Sequence, residues 1–205
     1  MKKRIQQMFK ASLLLVFLIS INSTAQNFRS VWRTTSPNET ITIDGYFLSV
    51  YDYSIDWGDG NSDVGQGNTA SHVYAVAGDY TISISGVFPR MYFNNTGDKN
   101  KIISIEEWGS SINWHTMENA FYGCENLVNN ATDIPNMSEN NFSLASMFKN
   151  CAKIGTGNAS NWNSWNTNKV INMSETFNNT AFNEDIGNWD VANVTNMTDM
   201  FQGVR

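Results

Sequence analysis

The 205-residue chain carries 13 Lys+Arg against 19 Asp+Glu, a formal net charge of −6, with two Cys and two His. Four of the cations and none of the carboxylates fall in the first 25 residues, so the remainder holds nine cations against 19 carboxylates, a net charge of −10. That balance argues against nucleic acid and anionic membranes as partners, and the lack of any CxxC, HExxH or Cys/His cluster leaves a zinc site without support.

The chain opens with Lys2, Lys3 and Arg4, then the apolar run Ala11 to Ile21, then the small residues Ser23 to Ala25. A basic start, an apolar run too short to span a bilayer and a small-residue exit predict a secretory signal peptide over residues 1–25, cleaved near Ala25. No Cys follows the run, which argues against a lipid anchor there. No second long apolar stretch exists, so no transmembrane segment is expected beyond it.

Residues 26–93 read as strands. Thr40 to Ile43 alternates, Tyr53, Ile55 and Trp57 share one face, and so do Tyr80, Ile82 and Ile84. Alternation with period two marks half-buried strands. Gly58 to Asn61 supplies turn residues that accept positive φ. Short strands with turn signals in an exported segment predict a small all-β sandwich. "DWGDG" (Asp56 to Gly60) and "HVYAVAGDYTISISG" (His72 to Gly86) resemble the polycystic kidney disease (PKD) type of immunoglobulin-like domain over about fifty residues. The polar stretch Asn94 to Asn100 marks the expected boundary.

Residues 94–205 repeat. Trp114, Met117 and Phe121 are spaced i, i+3, i+7, as are Asn141, Leu144 and Phe148, then Val170, Met173 and Phe177, then Val194, Met197 and Phe201. Apart from Asn141, each set predicts one apolar stripe of a short helix. The intervals between successive Phe residues are 27, 29 and 24, the period of leucine-rich-repeat solenoids built from one strand and one helix or 3₁₀ turn per unit. Strands are expected near Lys101 to Trp108 and around Ile186. A unit of this kind buries its stripe only against the next copy, so Met117, Phe121, Leu144, Phe148, Met173, Phe177, Met197 and Phe201 are assigned to a structural core. "WDVANVTNMTDMF" (Trp189 to Phe201), "AFNEDIGNWDV" (Ala181 to Val191) and "MENAFYGCENL" (Met117 to Leu127) resemble the BspA-like leucine-rich repeats of bacterial surface proteins. Leader, PKD-like segment and repeats together resemble exported proteins of the Bacteroidetes type. The resemblance implies surface display and adhesion or ligand binding, without chemistry. About four units are expected. The last stops directly after a repeat Phe, which reads as a truncated C-terminus.

Candidate sites are few. Asp56, Asp59 and Asp63 with Asn61 offer oxygen ligands for calcium, but their spacing does not fit an EF-hand loop and an ordinary hairpin turn is favoured. His72 is a base without a nucleophile, since no Ser or Cys has a context such as GxSxG. Cys124 and Cys151 occupy equivalent places in consecutive units, where stacked free thiols are favoured over a disulfide. Trp162 and Trp165, set among Asn residues, suit a sugar or polar peptide, although Trp165 is also the repeat equivalent of Trp189.

The expected fold is therefore mixed, with an immunoglobulin-like sandwich followed by an α/β leucine-rich-repeat solenoid. The expected function is that of a non-enzymatic, secreted or cell-surface binding or adhesion protein, without a cofactor, that contacts extracellular protein or glycan. A structural spacer, or an accessory module of a larger surface enzyme, stands as the alternative.

Overall fold

The computed structural model describes residues 26–205. The expected signal peptide lies outside the described residues. The first strand, β1 (Phe28–Thr34), turns Phe28, Ser30, Trp32 and Thr34 inward and the residues between them outward. It is followed by β2 (Glu39–Asp44), β3 (Asp52–Asp56), β4 (Ser62–Gln66), β5 (Thr69–Tyr74), β6 (Gly78–Val87) and β7 (Ile102–Glu107). Three strands of two or three residues lie beyond them: β8 (Val128–Asn129), β9 (Phe142–Ser143) and β10 (Val170–Asn172).

The period-two readings hold at the level of side chains. Ile41 and Ile43, Tyr53, Ile55 and Trp57, and Ile82 and Ile84 are all buried. The main sheet runs β4-β3-β6-β1-β7-β8, and β2 and β5 form a separate antiparallel ribbon. Tyr74 on that ribbon donates from its hydroxyl to the Trp57 carbonyl at 2.8 Å, which ties the ribbon to β3 and its turn. β1 pairs antiparallel with β6 on one side and with β7 on the other, so the sheet begun before residue 93 continues into the repeat segment. The buried apolar residues form one continuous cluster from Phe28 to Met200.

The expected mixed fold is overturned. The described residues are nearly all β: strands hold 29% of them, no α-helix is present, and the sheets do not form a solenoid. One 3₁₀ turn, Trp162–Ser164, is the helical element among the described residues. The strand expected around Ile186 is absent as well.

The backbone explains the misreading. Each apolar stripe belongs to two consecutive four-residue turns. In the first copy the Ala120 amide donates to the Met117 carbonyl and the Cys124 amide to the Phe121 carbonyl, both at 3.0 Å. The third residue of each turn is left-handed, Asn119 at φ 55° and Gly123 at φ 84°. The same pair of positions is left-handed in the other copies: Ser146 and Asn150, Glu175 and Asn179, Asp199 and Gly203. A positive φ at the third residue is what a type II turn demands, and a left-handed residue in every turn prevents the i→i−4 bonding of a helix. Two turns of four residues still bring positions i and i+4 to one side. The apolar spacing of a helix therefore appears without the helix.

The backbone bonds that a helix would have made internally are made to the next copy. The amides of Met117, Asn119, Phe121 and Gly123 donate to the carbonyls of Ser143, Ala145, Met147 and Lys149 at 2.8–2.9 Å. Leu144, Ser146, Phe148 and Asn150 donate in the same way to the third copy, and Met173, Glu175, Phe177 and Asn179 to the fourth. The phenyl rings follow the same stacking: Phe121 on Phe148 at 5.7 Å, Phe148 on Phe177 at 5.9 Å and Phe177 on Phe201 at 5.8 Å, each pair within 15° of parallel.

An earlier copy was hidden from sequence reading. The Phe93 amide donates to the Ala120 carbonyl and the Asn95 amide to the Tyr122 carbonyl, and Asn95 is left-handed. Phe93 lies 28 residues before Phe121, inside the range of the other intervals. That spacing was the available signal.

Candidate functional site

Six of the eight residues assigned to the core are brought together in it, and two are not. Met117, Phe121, Leu144, Phe148, Met173 and Phe177 are fully buried, whereas Met197 is 43% and Phe201 48% exposed on the last copy.

Trp162 and Trp165, the expected sugar-facing pair, are buried at 2% exposure each and stack on one another at 4.7 Å. Trp162 meets Phe148, Phe177 and Phe182 edge-on, and Trp165 packs on Trp108 and Trp189. Their ring faces are occupied by the core and present no surface to a ligand. The polar neighbours that suggested exposure, Asn161 and Asn163, instead bond to the Asp133 carbonyl and to the Asp185 carboxylate.

The three carboxylates considered for calcium lie at the turn between β3 and β4, and each is held separately. Asp56 accepts from the Gly58 amide, Asp63 from the Trp57 indole N–H at 2.8 Å, and Asp59 from the Asn61 amide and side chain. Among the described residues no group of three His, Cys, Asp or Glu is placed to hold a metal ion. His72 joins Asp59, not Asp56: Nε2 sits 2.8 Å from the carboxylate while the imidazole stacks on Trp57 at 5.2 Å. Burial opposes ionisation of Asp59, but the bonds from His72 and Asn61 outweigh it and hold its pKa below the ordinary value. A carboxyl depressed in the folded state adds stability that is complete above its unfolded pKa and lost as pH falls through its folded one. Asp59→Asn is therefore expected to lower Tm near neutral pH by an amount that shrinks as pH falls below about 4. Thermal melts across the acid range read this directly, and a deficit independent of pH would show that the charge of Asp59 contributes nothing.

Cys124 and Cys151 are free and fully buried. Burial pushes both thiols well up from their ordinary pKa. Cys151 donates its S–H to the Phe121 carbonyl at 2.9 Å, so it acts as a small core residue with a satisfied donor.

One concave site was not found by sequence reading. It is a cleft of about 430 Å³ where the end of β1 and the start of β2 meet the first copies, within the size range of small-ligand sites. One wall is Arg33, whose guanidinium grips Asp79 through Nε and Nη2 at 2.7 Å each. The back is Lys101, whose ammonium lies 2.9 Å from Asp98 and 3.3 Å from Glu39 and also bonds to the Thr40 carbonyl. Burial works against the charge of Lys101, but Asp98 and Glu39 outweigh it and raise its pKa. Glu39 is held below its usual range, first by the Thr35 amide and then by Lys101. The other wall is a row drawn from successive copies: Asn126 donates to the Asn100 carbonyl at 3.1 Å, and Lys153 donates to Asn126 Oδ1 at 3.3 Å. Half-buried Ile103 contributes an apolar patch. These residues span positions 33 to 153, and no local motif carries them.

A second surface feature is the turn between β2 and β3, where Phe47, Leu48 and Val50 are each more than 70% exposed. Its base is tied down: the Tyr46 amide donates to the Tyr51 hydroxyl, which donates to the Arg90 carbonyl, and the Arg90 guanidinium lies over both the Tyr46 and Tyr92 rings, which meet edge-on.

No curated protein and no solved structure matches the chain. A family model does, over residues 88–205, and it opens just ahead of Phe93, the Phe of the earlier copy, whose ring is tilted 41° from that of Phe121. That match covers more than half of the sequence, and the chain belongs to the family described as Mycoplasma protein of unknown function, DUF285.

Proposed function

We propose that the chain is a non-enzymatic extracellular binding module that contacts protein or glycan through polar side chains set in rows by the stacked copies. The observation that carries this reading is the register between copies. Backbone bonds at every second residue keep equivalent positions aligned, so Asn100, Asn126 and Lys153 follow one another along the cleft, and Asn150 and Asn179 bond across neighbouring copies at 3.2 Å. Such a surface is preorganised and loses little side-chain freedom on binding. The basic start and short apolar run of the first 25 residues support export, and the likeness of the repeats to bacterial surface proteins supports display. Among the described residues no helix is long and apolar enough to cross a membrane.

The test immobilises the exported chain and screens extracellular-matrix proteins and glycans at physiological salt. Saturable binding to at least one of them is the expected result. Absence of binding across both panels would favour the structural-spacer reading.

A further inference from the structure

We propose that the cleft between β1 and the stacked copies binds a neutral, hydroxyl-rich saccharide; this rests on the binding-module reading above and names its site and ligand class.

Three of the nine cations beyond residue 25 meet at this cleft, in a chain otherwise dominated by carboxylates. Cations gathered in this way first suggest an anionic ligand. The local pairing argues otherwise. Arg33 is matched by Asp79, and Lys101 by both Asp98 and Glu39. Only Lys153 has no carboxylate within ion-pair distance among the described residues, and the two carboxylates on Lys101 offset it. The cleft is close to neutral as a whole, so it offers no net field to draw in a polyanion.

What remains at the surface of the cleft is an alternation of donors and acceptors. Arg33 Nη1, Asn100 Nδ2 and the spare protons of Lys153 have no partner among the described residues. Glu39 Oε1, paired with Lys101, and Asn126 Oδ1 each retain an accepting lone pair beside them, whereas Glu39 Oε2 is filled by Thr35 and Ser36. A hydroxyl group both donates and accepts, so a ligand carrying several hydroxyls satisfies both kinds of group at once. The ion pairs hold these groups in place before the ligand arrives, which limits the ordering cost of binding. Ile103 gives the C–H face of a sugar ring an apolar contact.

The experiment measures binding of the exported chain to immobilised neutral tetrasaccharides of hexose and N-acetylhexosamine, to tetragalacturonate and to hexaglutamate. Each is run at about 50 and 500 mM salt, a range over which screening separates charge-driven from neutral binding. At least one neutral tetrasaccharide is expected to bind with little salt dependence. Asn126→Ala should weaken that binding about tenfold and Lys153→Gln, which keeps a donor, about twofold, while Lys169→Ala on another face leaves it unchanged. Unaltered melting curves of the variants exclude loss of fold. Neutral-saccharide binding that survives Asn126→Ala and Asn100→Ala would overturn the cleft assignment while leaving the binding-module reading intact. Binding restricted to tetragalacturonate or hexaglutamate, lost at high salt, would overturn the ligand class. Binding to a matrix protein with no saccharide bound would overturn the proposal and again leave the broader reading standing.

Discussion

Replacing Phe177 by alanine is expected to destabilise the protein by about 3–5 kcal/mol, the range for truncating a large ring in a core that cannot collapse around the void. Phe177 is fully buried and sits at the centre of the phenyl stack, between Phe148 and Phe201. Its ring also lies 3.8 Å from that of Phe182 and touches Trp162 and Trp189. The copies on both sides are tied by backbone bonds from Leu144 to Phe148 and from Met173 to Asn179, so neither can move in to fill the space. Phe201→Ala is the internal comparison. That ring stacks on Phe177 but is 48% exposed, and its truncation should cost about 1 kcal/mol or less, since half of the apolar area is already in water. Denaturant titration of both variants reads the difference as a shift in midpoint. Equal and small losses would show that the ring stack is not the structural spine of the repeat segment.

Gly109→Ala is expected to be comparably damaging, by about 2–5 kcal/mol, because a left-handed backbone and an overpacked contact coincide there. Gly109 has φ 81°, and a Cβ built on it would lie 2.5 Å from the Phe28 amide nitrogen and 2.6 Å from the Asn27 carbonyl carbon. Those neighbours are backbone at the start of β1, with no side-chain rotamer to yield. The same residue is pinned from the other side: the Trp108 and Gly109 amides both donate to the Asp133 carboxylate at 2.8 Å. The new methyl group must therefore push β1 away from β7, or pull Gly109 off Asp133. Gly67→Ala is the matched comparison, with ordinary φ and nothing within 4 Å of its Cβ. It should leave Tm unchanged or slightly raised, through the reduced freedom of the unfolded chain. A Tm for Gly109→Ala equal to that of Gly67→Ala would refute the tight β1–β7 closure.

Much of the chain could be read locally. Alternation at Ile41 and Ile43, at Tyr53, Ile55 and Trp57, and at Ile82 and Ile84 identified strands and their buried faces correctly, because the period of two is a property of a single strand. The repeat, too, was legible, and six of its eight assigned core residues are fully buried. Its conformation was not legible, because four-residue turns and an α-helix bring the same spacings to one side. The left-handed position of the first turn is held by four different residue types, Asn119, Ser146, Glu175 and Asp199, all ordinary in helices or caps, so it gave no warning; the second turn carried one, since Gly123, Asn150, Asn179 and Gly203 are all residues that favour a positive φ. Trp162 was misplaced for a related reason: its polar neighbours in sequence point away from it, and the rings that bury it, Phe148, Phe177 and Phe182, come from two other copies and the connecting segment.

By itself the sequence determined three strands of the first segment, β2, β3 and β6, the existence and spacing of four copies, and most of the residues that fill their interior. Each of these depends on periodicities shorter than about thirty residues, which a chain displays without being folded. Tertiary structure alone decided that β1 joins β6 to β7, that successive copies exchange backbone bonds in place of forming helices, and that Arg33, Lys101, Asn126 and Lys153 surround one cleft. Those outcomes depend on which distant backbone amides and carbonyls find one another, and that pairing is settled only when the whole core closes.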